Sequence, residues 1–316
     1  MRVWSSTPMP RDASQPAADV AGVPSRRHGH GAVAAVLAGP ALVLIVLFLI
    51  GPLACVALLS LTDYQLGAAT LNYVGGKNYA EMFSDRVFQK SLTNTLLYVA
   101  ITVPGSVLLG LGAALLIEAD RGLRTFYRAI YFLPVMATLI AMSIVWEFML
   151  HPQFGIVNQL VKALGLSRID WLQNQSVVLF TLCGIGIWQS LGFNMVLFMA
   201  GLTSIPKDLY EAAAVDGANS AIDRFRLVTW PMLSPVTLFV VVITAIRSFQ
   251  VFDTVQVLTK GGPNKASEVL LYTMYSEGFE FFRSGYASAV TVVFLAFVLA
   301  LSALKVFVLD KRVHYA

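Results

Sequence analysis

Six stretches of this chain are apolar for about twenty residues or more: Ala32 to Leu61, Leu92 to Ile117, Ala129 to Leu150, Val177 to Gly201, Met232 to Val251 and Tyr286 to Leu309. Runs of that length match roughly 30 Å of bilayer hydrocarbon at about 1.5 Å of rise per helical residue. Hydrocarbon offers no partner to backbone N–H and C=O groups, so such runs must pair those groups internally, as helices do. The 316 residues are 57% hydrophobic and 13% charged, with a mean hydropathy of +0.71. That is too apolar for a soluble domain around one core. The expected fold is therefore all-α: a polytopic membrane protein with six transmembrane helices. Residues 32–309 form its transmembrane domain, and the connections are too short to hold a separate core.

An even number of spans puts both termini on one side. Arg2, Arg11, Arg26 and Arg27 precede the first run, Arg121, Arg124 and Arg128 crowd the second connection, and Lys311 and Arg312 follow the last run. Alternate connections carry basic residues more sparsely, balanced by acids. The positive-inside rule then makes the termini cytoplasmic. Residues 1–31, rich in Pro, Ala, Ser and Arg, read as a disordered cytoplasmic tail and 310–316 as a short C-terminal one. The net charge of +4 follows from this topology and gives no reason to invoke nucleic acid. Cys55 and Cys183 both fall inside runs, where small apolar packing outweighs a disulfide or metal role.

No phosphate-binding loop, H-E-x-x-H, G-x-S-x-G or cysteine pair at metal spacing occurs, so no cofactor is expected on this chain. Pro40 and Pro52 in the first run, Pro104 in the second and Pro134 in the third are sites of expected kinks. Ionisable groups inside runs are costly and usually functional. Arg247 lies about 22 Å into the fifth run. Two placements fit it: a polar cavity shared with Gln250 on the same helix face, or a side chain reaching out to the membrane surface. A proton-coupled carrier would hold carboxylates near the midplane, and this chain shows none there.

One segment interrupts the apolar pattern, residues 205–231, "IPKDLYEAAAVDGANSAIDRFRLVTWP". Lys207 to Val215 are good helix formers with Asp208 and Glu211 near the start, where the macrodipole favours acids. Asp216 and Gly217 stop that helix, Gly217 in the left-handed conformation, and Asn219 or Ser220 can cap a second helix over roughly Ala221 to Thr229. The second helix ends at Pro231, unless that proline opens the fifth span. The product is a bent helical pair with an alanine ridge, Ala212, Ala213 and Ala214, at its tip. Such a ridge buries too little to favour lying in headgroups and is better suited to a groove on another protein.

"EAAAVDGA" at Glu211 to Ala218, followed by Phe225 and by Val228 to Pro231, resembles the EAA signature of the membrane subunits of binding-protein-dependent ABC importers. "FLP" at Phe132, "FGIVN" at Phe154, "SIPKDLYEAA" at Ser204 and "LTKGGPNKASEVLLY" at Leu258 are similar to the carbohydrate branch, so the resemblance spans nearly the whole chain. It implies a permease that pairs with a second, similar permease around a path for a sugar. It also implies two cytoplasmic ATPase subunits that use ATP and Mg, an extracytoplasmic solute-binding protein, and a bacterial inner membrane as location. The segment would be the coupling helix, with Glu211, Ala212, Ala213, Asp216, Gly217 and Ala218 docking the ATPase. Trp230 in place of a usual leucine, and Val228 in place of a common isoleucine, depart from the pattern. Glycerol-3-phosphate uptake and, more remotely, a stand-alone secondary carrier are the alternatives. Polarity within spans marks Trp188, Gln189 and Asn194 in the fourth run, and Arg247, Ser248 and Gln250 in the fifth, as path residues; interhelical packing is the competing role for each.

Overall fold

The computed structural model describes residues 30–119, 122 and 124–312. Residues 1–29 and 313–316, which hold most of the two expected tails, and Arg121 lie outside the described residues. The chain divides into two compact units, residues 1–53 and 54–316. In the first, a helix carrying Pro40 passes into a π-helical turn at Val46–Ile50, where the Gly51 N–H bonds the Val46 carbonyl just before Pro52. Its apolar side chains, among them Leu37 and Phe48, are exposed.

The spans are Val36–Leu59, Arg86–Ala119, a bent third, Val178–Thr203, Ala221–Leu258 and Ser284–Ala303. The third corrects the expectation of one helix from Ala129 to Leu150. Helices Arg124–Met136 and Leu139–Met149 meet there at 100°. Pro134 cannot donate a hydrogen bond within the last turn of the first helix, and Thr138 leaves helical geometry at φ −66°, ψ 136°. Pro104, by contrast, sits within one continuous helix.

Spans two and four form the centre of the larger unit because glycine stands where they touch. A β-carbon on Gly110 would lie 2.8 Å from the Asn194 Cβ, and one on Gly186 would overlap the Tyr98 hydroxyl. Small residues let helix backbones approach closely, and packing is then the main gain available in lipid. Val103, Val107 and Leu111 of span two meet Met195, Phe198 and Met199 of span four, with Leu233 and Val240 of span five completing this core. A polar tie crosses it. The Thr244 hydroxyl donates to Asn194 Oδ1 at 2.8 Å, and Asn194 Nδ2 donates to Ser106 Oγ at 3.3 Å.

At the other end of span five, residues 259–269 fold onto the start of span two. The Asn94 amide reaches the carbonyls of Lys265, Ala266 and Glu268, and the Leu270 N–H donates to Thr95 Oγ1. Glu268 is fully buried there; Thr273 donates to one carboxylate oxygen at 3.0 Å and Lys265 to the other at 3.3 Å. Burial pushes its carboxyl above the usual range, against the pull of Lys265 and Thr273. Nearby, Arg283 pairs with both Glu277 and Glu81, closing the loop ahead of span six onto the helix Lys77–Ser84.

Candidate functional site

From Trp230 onward span five is two helices, Trp230–Phe249 and Asp253–Leu258, separated by a break at Gln250 to Phe252. That break and the one in span three face the same cavity. About 330 Å³ in volume, it is lined by Val135 and Leu139 on either side of the span-three break and by Gln250, Val251 and Phe252 at the other. Gln189 and Ser190 of span four, Tyr98 of span two, and Arg247, Ser248, Asp253 and Thr254 complete the wall. Irregular backbone at membrane depth is tolerated where it lines such a cavity. Among the described residues, the wall therefore holds the Arg247 cation, the Asp253 carboxylate and several neutral donors and acceptors, a set suited to a hydroxyl-rich solute.

Of the six residues chosen by polarity, four line this cavity: Gln189, Arg247, Ser248 and Gln250. Arg247 takes the first of its two placements, its guanidinium 3.9 Å over the Phe193 ring. The other two point elsewhere. Asn194 is fully buried and engaged with Thr244 and Ser106, the packing role, and Trp188 stacks edge-on against Trp146 at 5.3 Å. Tyr98, Ser190, Asp253 and Thr254 were missed. Tyr98 sits in an apolar run and carries no pattern of its own, and Asp253 lies beyond the expected end of the fifth span at Val251.

The bent segment forms largely as its residues dictate. Helix Lys207–Val215 has Asp208 in its first turn and closes through Gly217, at φ +95°. There the Gly217 N–H bonds the Ala214 carbonyl and the Ala218 N–H that of Ala213, a Schellman closure. Ser220, not Asn219, caps the next helix, accepting from the Asp223 N–H at 3.0 Å. That helix does not end at Pro231. It runs from Ala221 through a π-helical turn, Phe225–Thr229, directly into Trp230–Phe249. The Trp230 N–H reaches back five residues to the Phe225 carbonyl. A regular turn would press the Pro231 ring against the Leu227 carbonyl, and the wide turn relieves that clash.

Glu211, Ala212, Asp216 and Gly217 are exposed. The alanine ridge is corrected, because successive helical residues turn by about 100°. Ala212 faces out, whereas Ala213 and Ala214 are half-buried and Ala213 packs on the protein's own core. Ala218 is 3% exposed, beneath the bend, where its carbonyl accepts from Arg224 Nε at 3.3 Å. Tyr210, on the inward face, packs on that core and places its hydroxyl 3.0 Å from Thr229 Oγ1.

Comparison with known proteins matches residues 106–315 to the family described as "Binding-protein-dependent transport system inner membrane component". A probable ABC transporter permease, YurN of Bacillus subtilis, is 36% identical over 84% of this chain and 92% of its own length. The permease UgpA of an sn-glycerol-3-phosphate transport system of Agrobacterium fabrum is 31% identical over 88% of this chain and 95% of its own. The permease SmoG of a sulfoquinovosyl glycerol transport system of the same organism is 31% identical over 87% and 89%. Among solved structures, a bacterial alginate ABC transporter in complex with an alginate pentasaccharide-bound periplasmic protein superposes with a TM-score of 0.76. It is 21% identical, over 89% of this chain and 95% of that one, and shares the fold.

Proposed function

Because this chain belongs to the family of binding-protein-dependent transport system inner membrane components, we propose that it forms, with a second similar permease, the path by which an ABC importer admits a sugar. Two ATPase subunits bind below the pair of permeases, and one of them docks on the exposed face of this chain's bent segment through Glu211, Ala212, Asp216 and the Gly217 bend, with Ala213 and Ala218 holding that face in shape from beneath. ATP and Mg are used by those subunits and none is bound by this chain. An extracytoplasmic binding protein delivers the solute at the other end, and membrane lipid surrounds the spans. The termini and the bent segment are cytoplasmic, a reading that the arginine distribution supports.

The observation that carries this reading is span five itself. Its first helical turns adjoin the exposed Glu211 helix and its broken far end lines the polar cavity, so one span joins the proposed docking face to the proposed solute path. Relatives named for sn-glycerol-3-phosphate and sulfoquinovosyl glycerol transport, both anionic, favour a second reading: a phosphorylated or sulfonated glycerol or sugar. Arg247 in the cavity wall supports it. The test is co-purification with an ATPase subunit, and ATP-dependent uptake, before and after Glu211→Lys and Gly217→Pro. Loss of both supports the docking assignment. Retention of both, or uptake by the purified chain alone under an ion gradient, refutes it.

A further inference from the structure

We infer that Tyr210 and Thr229 are a positioning pair that fixes the rotational setting of span five, and so decides which side chains it turns into the cavity. Thr229 is 5% exposed. A hydrogen bond joins the two hydroxyls at 3.0 Å, and Thr229 Oγ1 also lies 3.4 Å from the Arg224 carbonyl. Both contacts meet at Thr229, the last residue of the π-helical turn Phe225–Thr229, and the second reaches Arg224, the residue just ahead of it.

A π-helical turn holds about one residue more than an α turn, and each residue is worth about 100° of rotation. Where the extra residue sits therefore sets the angular position of everything that follows. Pro231 disfavours a regular turn ahead of it without choosing the register of the wide one. The Tyr210 hydroxyl, carried on a different helix, chooses it. A second tie, Arg224 Nε to the Ala218 carbonyl, holds the start of the same turn to the bend. From Trp230 the helix continues unbroken through Phe249, so a change of register would turn Arg247 and Ser248 away from the cavity and bring an apolar neighbour into it. That the setting governs transport rests on the permease reading; that the pair holds it rests on the geometry alone.

The test uses the full chain, in the complex in which it purifies, with Cys55 and Cys183 replaced by alanine and Arg247→Cys introduced. A membrane-impermeant maleimide then reports access to position 247 from the cavity, with no need of solute or ATP. Tyr210→Phe and Thr229→Val are each expected to lower the labelling rate about five-fold, the factor one net hydrogen bond represents. The double variant should be no worse than either single one. Thr229→Ser, which keeps the hydroxyl, should restore labelling, a rescue that a purely packing role for the methyl group would not give. Unchanged labelling in both single variants, or a Thr229→Ser variant as slow as Thr229→Val, overturns the inference. Either outcome leaves ATPase co-purification, and so the permease reading, separately decidable.

Discussion

Asn194 Oδ1 accepts the Thr244 hydroxyl at 2.8 Å while its amide nitrogen donates to Ser106, so one side chain ties spans two, four and five inside an otherwise apolar core. Interhelical hydrogen bonds in membranes are worth about 0.6 kcal/mol on average and up to about 1.7. Thr244→Val should therefore lower thermal stability in detergent by that amount. Asn194→Leu should cost more, about 1–3 kcal/mol, because it removes both bonds at once and takes its acceptor from the buried Thr244 hydroxyl. Melting of the two variants beside the parent checks the order; an unaltered Thr244→Val would mean that the tie contributes nothing.

Gly217 is at φ +95°, and a β-carbon built there meets nothing within 4 Å. The demand is on backbone conformation alone. Gly217→Ala should cost about 1–2 kcal/mol and Gly217→Asn less, since asparagine tolerates the left-handed region; a β-branched residue should be worst. If alanine and asparagine melt alike, conformational strain is not what selects glycine here.

Glu268 supplies a pH dependence whose sign is fixed by its burial. Its carboxyl is raised above the ordinary 4.5, with desolvation as the largest cause and Lys265 opposing. The folded chain then binds more protons than the unfolded one between 4.5 and the raised value. This contribution is complete below that window and is lost as pH rises through it. Glu268→Gln should flatten the decline in melting temperature as pH rises above 4.5. A variant with the parent's slope would place the dependence on another group, such as Glu277, also raised by burial.

Arg247 discriminates between the two solute readings. In a reconstituted transporter, Arg247→Ala should reduce uptake of sn-glycerol 3-phosphate about ten-fold if an anionic solute pairs with the guanidinium, the equivalent of about 1.4 kcal/mol. Arg247→Lys should recover only part, because a point charge does not reproduce the planar group lying over Phe193. Uptake of a neutral sugar that is equally reduced by Arg247→Ala would argue that the residue shapes the cavity and does not select charge.

Length and hydropathy made the spans legible in the sequence, because a bilayer imposes a single dimension on them. The bend at Gly217 was legible too, because helix ends obey local rules. What escaped was decided by contacts or by distributed strain. The 100° corner of span three falls three residues after Pro134, where hydropathy does not change. Pro231 read as either the end of the second helix or the start of span five, and a wide turn instead joins the two across it. Asn194 and Gln189 look alike in a list of polar residues; only the positions of Ser106 and Thr244 assign one to packing and the other to the cavity. Ala213 and Ala218 read as surface because one strip of sequence does not tell which face of a short helix lies over its own core.

The cavity is walled where helices Arg124–Met136 and Trp230–Phe249 stop, and the last carbonyls of any helix lack partners within it. If the proposed solute path runs here, any carbonyl left free at these ends would add peptide, common to every amino acid and beyond the reach of substitution, to what a solute meets. Side-chain replacement around the cavity should erode recognition gradually and leave a residue of affinity for hydroxyl groups. On the proposed reading, such a path would change its preferred cargo through a few side chains while keeping a constant appetite for polyols.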